Sequence, residues 1–236
     1  MRLCVISDIH GNVEALRAAL RRIRVMTPDL VLIAGDLAAH GPRPSETLAE
    51  LRELGQATTI RGNTDRYLVD PATVPLRNWP EDEAPERLRS LEWTREQLGD
   101  DGLQFLAGLP AQAEIDDCIL VHGSPGSDEK GIFPSTPLEA FDTPAWSCVM
   151  ACGHTHVPAH RRFGGRHLVN AGSVAWNLDG DPRPSFAVVE TDGDGGAAIT
   201  LERVDYDRAA VVTDLGTRQV PWRENVRRFI EAGRVS

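Results

Sequence analysis

The stretch Leu3-Cys4-Val5-Ile6-Ser7-Asp8-Ile9-His10-Gly11-Asn12 decides how the rest of the chain is interpreted, because an apolar run passes directly into polar side chains. The apolar run over residues 3–7 predicts a short buried strand. From residue 12 to residue 25, apolar side chains recur at helical spacing: Val13, Leu16, Ala19, Leu20 and Ile23. A strand, a polar turn and a helix in succession form the repeating unit of an α/β fold.

The same unit returns along the first third of the chain. An apolar run without alternation over residues 30–34 predicts a second strand, buried on both faces of a sheet. A helix over about residues 45–54 and a third strand over 57–60 follow. These elements predict a parallel α/β core with right-handed crossovers.

The remaining chain is rich in strand patterns. Four prolines over residues 70–85 predict a surface excursion, and two helices are predicted over 86–98 and 101–106. A proline-rich loop is predicted over 123–144, and a last helix over 223–231. Six further strands are predicted over 112–115, 118–122, 147–152, 167–170, 186–190 and 197–204.

The composition excludes several classes of protein. With 41% hydrophobic and 25% charged residues, the chain has the balance of a folded globular protein. The absence of a long apolar stretch and the early Asp8 predict a cytoplasmic protein without a membrane partner. A net charge of −10 argues against an extended nucleic-acid-binding surface. Four cysteines without a C-x-x-C pair predict free, buried thiols.

Metal-binding side chains follow five of the apolar runs. Functional residues of open α/β folds gather outside the carboxyl ends of the strands, where all of these side chains fall. Residues two apart on an extended chain point to the same side, so Asp8 and His10 are expected to converge, as are His154 and His156. The five segments are Ser7-Asp8-Ile9-His10-Gly11-Asn12, Gly35-Asp36, Gly62-Asn63, Val121-His122-Gly123 and Gly153-His154-Thr155-His156.

The donor set predicts two divalent metal ions. Two carboxylates, one amide oxygen and four imidazoles are too many ligands for one tetrahedral zinc, which takes four. Oxygen and imidazole ligands without thiolate favour Mn, Fe or Zn, and we expect Mn. Two metals about 3.5–4 Å apart would clamp a phosphoryl group and supply a hydroxide nucleophile.

In their order along the chain, the motifs D-x-H, G-D, G-N, H-G and G-H-T-H resemble those of the calcineurin-like metallophosphoesterase superfamily. The resemblance runs from Ser7 to the turn at residues 170–173. It implies an α/β fold, a four-layer α/β/β/α sandwich, formed as one domain by residues 1–236. It assigns one metal to Asp8, His10, Asp36 and His156, and the other to Asp36 as a bridge, Asn63, His122 and His154. The segments 36–42 and 93–98 resemble a subgroup of small bacterial phosphoesterases.

Two departures from the family pattern bear on the substrate. Many members carry a His directly after the Gly-Asn motif, where it protonates the leaving group, whereas Thr64 stands here. Since a positioned acid typically accelerates such a step by about 10²–10⁴-fold, its absence favours phosphodiesters or activated leaving groups. His40 stands where the subgroup often has an aromatic residue. It is a candidate substitute acid, and the alternative is a hydrogen-bonded or surface histidine.

We therefore expect Asp36, Asn63, His122 and His40 to be catalytic, and Asn12 and Asn63 to contact the substrate. Asn12 has the alternative of a plain helix N-cap. The turn at 170–173 is expected behind the metals. Candidate phosphate contacts, each with the alternative of a surface charge, are Arg61, Arg66, Arg161 and Arg162, whereas His160 and His167 are expected to be solvated in a hairpin.

The first hypothesis is a phosphodiesterase whose hydroxide nucleophile is activated by a dinuclear metal centre. Its substrate would be a phosphorylated small molecule or a nucleotide, including cyclic nucleotides and dinucleoside polyphosphates. The alternatives are a phosphomonoesterase that uses His40 as acid, and a non-catalytic scaffold of the same fold that binds a partner protein. Loss of ligand residues would favour the scaffold, and all seven are present. A homo-oligomer is compatible with each hypothesis.

Overall fold

The computed structural model describes residues 1–137 and 148–234, which form two mixed five-stranded sheets packed face to face. The first sheet has the spatial order β10 (Ala197–Arg203), β9 (Ser185–Thr191), β1 (Arg2–Ile6), β2 (Leu30–Ile33) and β3 (Ala57–Thr59). The second sheet has the order β4 (Gln112–Ile115), β5 (Cys118–Val121), β6 (Val149–Cys152), β8 (Arg166–Asn170) and β7 (Ala159–Phe163).

Each sheet combines parallel and antiparallel pairs of strands. In the first sheet, β1 runs parallel to β2 with Leu3 opposite Leu30, and β2 runs parallel to β3. In the second sheet, β5, β6 and β8 are parallel neighbours. The antiparallel strands are β9 and β10 in the first sheet and β4 and β7 in the second. The predicted parallel core is therefore confirmed for β1–β3, while the chain returns to the same sheet in the opposite direction.

Alternate residues of the inner strands enter two different cores. Leu3 and Val5 of β1 pack against the second sheet, whereas Cys4 and Ile6 pack in the cluster that contains the helix residues. Side chains of a strand alternate between its two faces, so a fully apolar run supplies both layers. The helices are α1 (Val13–Met26), α2 (Pro44–Arg52), α3 (Asn63–Val69), α4 (Ala84–Ala107), α5 (Arg208–Thr217) and α6 (Arg223–Ala232). The α/β sandwich expected from the resemblance is confirmed.

Several local predictions need correction. Helices α3 and α5 were not predicted, because α3 has only seven residues and α5 buries only Val211 and Leu215. The two helices predicted over 86–98 and 101–106 are confirmed, because α4 consists of two helical segments separated by a break at Gly99, where φ is 59°. His167 is 5% exposed rather than solvated, because β8 lies between β6 and β7. The predicted loop 123–144 and the start of the strand 147–152 extend into 138–147, outside the described residues.

Two expectations from composition were also examined in the structure. The cysteines are free and buried, as predicted: Cys4, Cys118, Cys148 and Cys152. Within residues 1–137 and 148–234, no helix combines the length and the apolar character needed to span a membrane.

The packing of the two sheets against each other can be tested by shortening a side chain in the core between them. Leu120 of β5 is fully buried there, so Leu120→Ala should lower the free energy of unfolding by about 2–5 kcal/mol through lost burial and a residual cavity. Urea denaturation measures this loss. Leu201→Ala on β10 is the control, since Leu201 is 38% exposed and should lose much less. Equal losses in both variants would contradict the assigned core.

Candidate metal centre

The five motif loops meet at one end of the sandwich. Asp8 and His10 follow β1, Asp36 follows β2, and Asn63 begins α3 after β3. From the second sheet, His122 follows β5, while the loop after β6 carries His154 and His156. Since β1, β2 and β3 are parallel in the first sheet and β5 and β6 are parallel in the second, the carboxyl ends of these strands share one edge of each sheet. All seven predicted ligand residues are connected by side-chain distances of 2.9–3.9 Å.

The first group of ligand atoms comprises Asp8, His10 and His156. The Nε2 atoms of the two imidazoles lie 3.2 Å apart. Asp8 Oδ1 lies 3.3 Å from His156 Nε2 and 3.9 Å from His10 Nε2. This oxygen is buried and has no hydrogen-bond partner. The three atoms are close enough to bind one cation.

The second group comprises Asn63, His122 and His154. Asn63 Oδ1 lies 2.9 Å from His122 Nε2 and 3.0 Å from His154 Nδ1, and the two nitrogens are 3.2 Å apart. Asp36 lies between the groups, because its Oδ2 is 3.7 Å from His10 Nε2 and its Oδ1 is 3.5 Å from His122 Nε2. One carboxylate therefore faces both groups, as expected of a bridging ligand.

The hydrogen-bond partners show that each imidazole presents a lone pair to its group. A carbonyl oxygen only accepts, so a ring nitrogen that contacts one carries the hydrogen. His10 Nδ1 donates to Ala39 O, and His156 Nδ1 donates to Trp176 O, at 3.0 and 2.8 Å. In the neutral imidazoles each Nε2 is then left as an acceptor. Two acceptors at 3.2 Å beside an unpartnered carboxylate oxygen form a site for a positive charge.

The same reasoning applies to the second group. His122 Nδ1 donates to Ala34 O at 2.6 Å, and His154 Nε2 donates to Glu129 O at 3.1 Å. The Asn63 amide donates to Tyr67 Oη at 3.1 Å, which orients Asn63 Oδ1 toward the imidazoles. Three acceptors then converge with no donor among them. Buried lone pairs in this arrangement repel one another unless a cation lies between them, so these residues fit a divalent metal ion.

The pKa values of the two buried carboxyl groups are shifted in opposite directions. Burial, and then the charge of Asp8, raise the pKa of Asp36 to about 7. Burial also opposes ionisation of Asp8, yet the neighbouring His156 holds the pKa of Asp8 below its ordinary value. The carboxylate in turn raises the pKa of His156 against the effect of burial. The centre is thus short of positive charge, which a metal ion would supply.

The backbone reaches this geometry through left-handed residues rather than through extended chain. Among the described residues, ten non-glycine residues have positive φ, and six of them are Asp8, His10, Asp36, His40, His154 and His156. The expectation that Asp8 and His10 converge on an extended chain is therefore wrong, although the two side chains do converge. Left-handed backbone at non-glycine residues costs on the order of 1–3 kcal/mol each and is concentrated at functional sites.

Asp65 holds the loops after β2 and β3 together, and the sequence analysis did not assign it this role. Its fully buried carboxyl group accepts the backbone N–H groups of Asp36, Leu37 and Gly62, each at 2.9 Å. The only sequence signal is an acidic residue three positions after Gly62, as in a helix capping box.

A second support was also missed, and it lies around Glu129. The Glu129 carboxylate accepts from Tyr67 Oη at 2.5 Å, and Tyr67 in turn accepts from Asn63. The backbone oxygen of the same Glu129 accepts from His154. One residue therefore orients two members of the second group.

The other predicted site residues lie in different surroundings. Asn12 is a helix cap, since its Oδ1 accepts from Ala15 N and its amide contacts Ala175 O and Tyr206 Oη. The geometry thus supports the capping alternative for Asn12 rather than a contact with substrate. Arg66 pairs with two carboxylates, of Asp128 and Glu129.

His40 lies beside the metal ligands. Its ring centroid is 6.1 Å from that of His10, and its Nδ1 is hydrogen-bonded to Ser90 Oγ at 3.0 Å. His40 Nε2 is buried without a partner. Burial, and then the charge of Arg87, hold the pKa of His40 well below its ordinary value. His40 therefore has a hydrogen-bonded Nδ1, while its Nε2 has no partner among the described residues.

A cavity of about 340 Å³ opens over the ligands. His10, Asp36, Asn63, His154 and His156 line one side of it. The cavity also includes residues that the sequence analysis did not single out, and these are Glu83, Arg87, Trp176, Leu178, Trp222 and Phe229. No pattern in the sequence connects these residues with the motifs.

Comparisons with known proteins agree with this geometry. Residues 1–194 match the family described as the calcineurin-like phosphoesterase superfamily domain. An uncharacterized protein of Methanocaldococcus jannaschii is 25% identical over 226 residues, which cover 87% of this chain and 88% of that protein. A symmetrical bis(5'-nucleosyl)-tetraphosphatase of Vibrio parahaemolyticus is 30% identical over 141 residues, which cover 59% of this chain and 48% of the relative. The chain thus spans about half the length of that enzyme.

Two solved structures share the fold over almost their full length. A metallophosphoesterase from Sphaerobacter thermophilus is 29% identical with a TM-score of 0.77, covering 99% of this chain and 100% of that one. A hypothetical protein from Pyrococcus horikoshii is 22% identical with a TM-score of 0.82, covering 100% of this chain and 99% of that one.

Gly153 tests the close approach of the loops after β1 and β6. A Cβ atom at Gly153 would overlap Ser7 Oγ and Asp8 Oδ2, and Asp8 Oδ2 accepts a hydrogen bond from His154 N that joins the two loops. Gly153→Ala should therefore lower both the melting temperature and the Mn²⁺ content of the purified protein. Gly55→Ala is the control, because nothing lies within 4 Å of its added Cβ. Unchanged Mn²⁺ content in Gly153→Ala would contradict the assigned geometry.

Tyr67→Phe tests the orientation of Asn63. The variant removes the acceptor of the Asn63 amide, so the carbonyl oxygen is no longer held toward the imidazoles. Loss of such a supporting hydrogen bond typically weakens metal binding by about 10–100-fold, and calorimetric titration with Mn²⁺ measures it. Tyr206→Phe is the matched control, since Tyr206 contacts Asn12 instead. Equal Mn²⁺ affinities in the two variants would refute this role of Tyr67.

Proposed function

We propose that this chain, which belongs to the calcineurin-like phosphoesterase superfamily, hydrolyses phosphodiester bonds at a dinuclear metal centre. One observation carries the proposal. Asp36 lies between two groups of buried acceptor atoms, and each group presents lone pairs with no donor among them. The seven ligand residues suit the roles that the resemblance assigns to them, and we propose residues 1–236 as one domain.

The residues around the centre have distinct tasks. Two bound divalent cations would neutralise charge on the phosphoryl group and lower the pKa of a water molecule that becomes the nucleophile. Asp36 holds the two groups at a fixed separation, because each of its oxygens faces one of them. Asp8 and Asp36 alone would repel a phosphate, so activity should require the metal. Imidazole, carboxylate and amide donors favour Mn²⁺ over softer ions.

The surroundings of the ligands favour a diester over a monoester. Thr64 lines the cavity where many relatives place a histidine acid, and a threonine hydroxyl is a poor proton donor to an alkoxide. His40 Nε2 is available in the same cavity, but its lowered pKa leaves little imidazolium at pH 7. Without a strong acid, the reaction depends on leaving groups that need little protonation. The unpartnered His40 Nε2 keeps the monoesterase as the second candidate.

The substrate class follows from the relatives and from the charge of the chain. This chain matches about half the length of relatives that are named symmetrical bis(5'-nucleosyl)-tetraphosphatase. We therefore propose to screen nucleotides and dinucleoside polyphosphates as substrates. A net charge of −10 argues against long nucleic acids as substrates. A non-catalytic scaffold would have no need for two complete groups of acceptors.

The test combines metal analysis with turnover of two chromogenic esters. The protein should contain about two metal ions per chain and hydrolyse bis-p-nitrophenyl phosphate faster than p-nitrophenyl phosphate when Mn²⁺ is added. His122→Ala removes an acceptor of the second group and should reduce diester turnover at least about 10³-fold. The matched control is His160→Ala, because His160 is exposed on β7.

The outcomes separate the candidates. Faster turnover of the monoester, lost in His40→Gln, would overturn the preference for diesters and support the monoesterase. A protein without bound metal and without turnover of either ester would contradict the enzymatic function and favour the scaffold.

A further inference from the structure

The wall of the cavity opposite the metal ligands is aromatic and carries one arginine. Trp222 immediately precedes α6, Phe229 lies within it, and both line the cavity together with Arg87 of α4. The ring centroids of Trp222 and Phe229 are 5.8 Å apart at an interplanar angle of 70°. Phe229 also lies 5.9 Å from Trp176, which stacks on His10. An apolar surface thus continues from a metal ligand across the cavity.

Two aromatic residues of this wall come from a part of the chain that the family match does not include. The match ends at residue 194, whereas Trp222 and Phe229 lie beyond it. Helices α5 and α6 fix the wall, because Val211, Leu215, Val226 and Ile230 form a core with Trp176 and Trp222. Trp222 and Phe229 therefore belong to a different part of the sequence from the predicted ligands, whereas Arg87 and Trp176 lie within the family match.

Arg87 differs from Arg43 and Arg66, two arginines near the centre that form ion pairs. Its guanidinium lies over the rings of Trp79 and Trp222, with centroid distances of 4.2 and 4.9 Å. Its Nε has no hydrogen-bond partner, and no carboxylate of the described residues lies within ion-pair distance. By contrast, Arg43 and Arg66 each pair with carboxylates. Two aromatic rings fix the position of Arg87 and leave its donors free.

Further donors on this wall lack partners. The indole Nε1 of Trp222 is buried without a hydrogen-bond acceptor, and Trp222 has a left-handed backbone with φ 63°. Glu83 also lines the cavity, and its charge raises the pKa of Arg87 against the larger effect of burial. Buried donors without partners are rare in folded proteins, so those of Arg87 and Trp222 indicate an acceptor-rich ligand.

We propose that this cavity is a subsite for a nucleoside phosphate, in which Arg87 binds phosphate oxygen and the wall of Trp222 and Phe229 packs against the nucleoside. A guanidinium that forms no ion pair among the described residues and is held by rings binds phosphate with little loss of side-chain entropy. An aromatic wall favours a flat, apolar group next to that phosphate. The inference rests on the proposed function and assigns its substrate class.

The first experiment measures binding rather than turnover. Thymidine 5'-monophosphate should quench the tryptophan fluorescence of the protein, and thymidine or inorganic phosphate should bind at least about tenfold more weakly. Arg87→Gln should weaken binding of the nucleotide by at least about tenfold, as expected for a lost charge-assisted hydrogen bond. Arg87→Lys should restore part of the affinity. The matched control is Arg52→Gln, which removes a guanidinium from the ring of Phe105 at the surface.

The second experiment compares two diesters with the same leaving group, the p-nitrophenyl esters of thymidine 5'-phosphate and of methyl phosphate. Phe229→Leu, which retains an apolar side chain, should raise KM for the thymidine ester about tenfold and leave KM for the methyl ester unchanged. Arg87→Gln should raise KM for both. If the protein binds the nucleotide through Arg87 but hydrolyses neither ester, the proposed function is refuted and the subsite is retained. Nucleotide binding that is absent, or unaffected by Arg87→Gln, would overturn the subsite.

Discussion

Lone pairs that face one another without a hydrogen between them are the constraint on which this structure depends. The ring N–H groups of four histidines all point outward, to the backbone oxygens of Ala34, Ala39, Glu129 and Trp176. Inside remain acceptor nitrogens, an amide oxygen and two buried carboxyl groups. Such a cluster is unfavourable in the absence of a cation. It persists only if the carbonyl oxygens that orient the rings are themselves held rigidly by the two sheets.

Interactions outside the centre stabilise this arrangement of acceptor atoms. Six of the residues around the centre have left-handed backbones, at a cost on the order of 1–3 kcal/mol each. Buried apolar layers on both faces of the first sheet offset that cost, and Asp65 joins two of the strained loops through three backbone N–H groups. A divalent cation would then interact with a preformed group of ligands, so its binding should also stabilise the fold.

The sequence predicted those parts that depend on local pattern. Apolar runs located the inner strands to within one or two residues, and the side chains after them meet at one end of the sandwich, because parallel neighbours place their carboxyl ends together. The antiparallel return of β9 beside β1 depends on partners more than 180 residues apart, which no local period reveals. The convergence of Asp8 and His10 was predicted for the wrong reason, since left-handed turns rather than extended chain bring them together. For His40 and Asn12, only the surrounding contacts separated a cap or hydrogen-bonded role from a catalytic one.

Arg87 shows why the substrate-facing side of the site resists prediction more than the ligands do. It lies in a charged helical segment, where an arginine is normally a solvated or paired side chain. Its distinction is that it forms no ion pair among the described residues and that Trp79 and Trp222 lie against it, and these properties arise only from tertiary packing. Ligands recur in motifs because a metal demands particular atoms at particular distances. A substrate pocket can be closed by any segment that reaches it, so residues outside the motifs, such as Arg87 within the family match and Phe229 beyond it, would be free to determine which phosphoester enters.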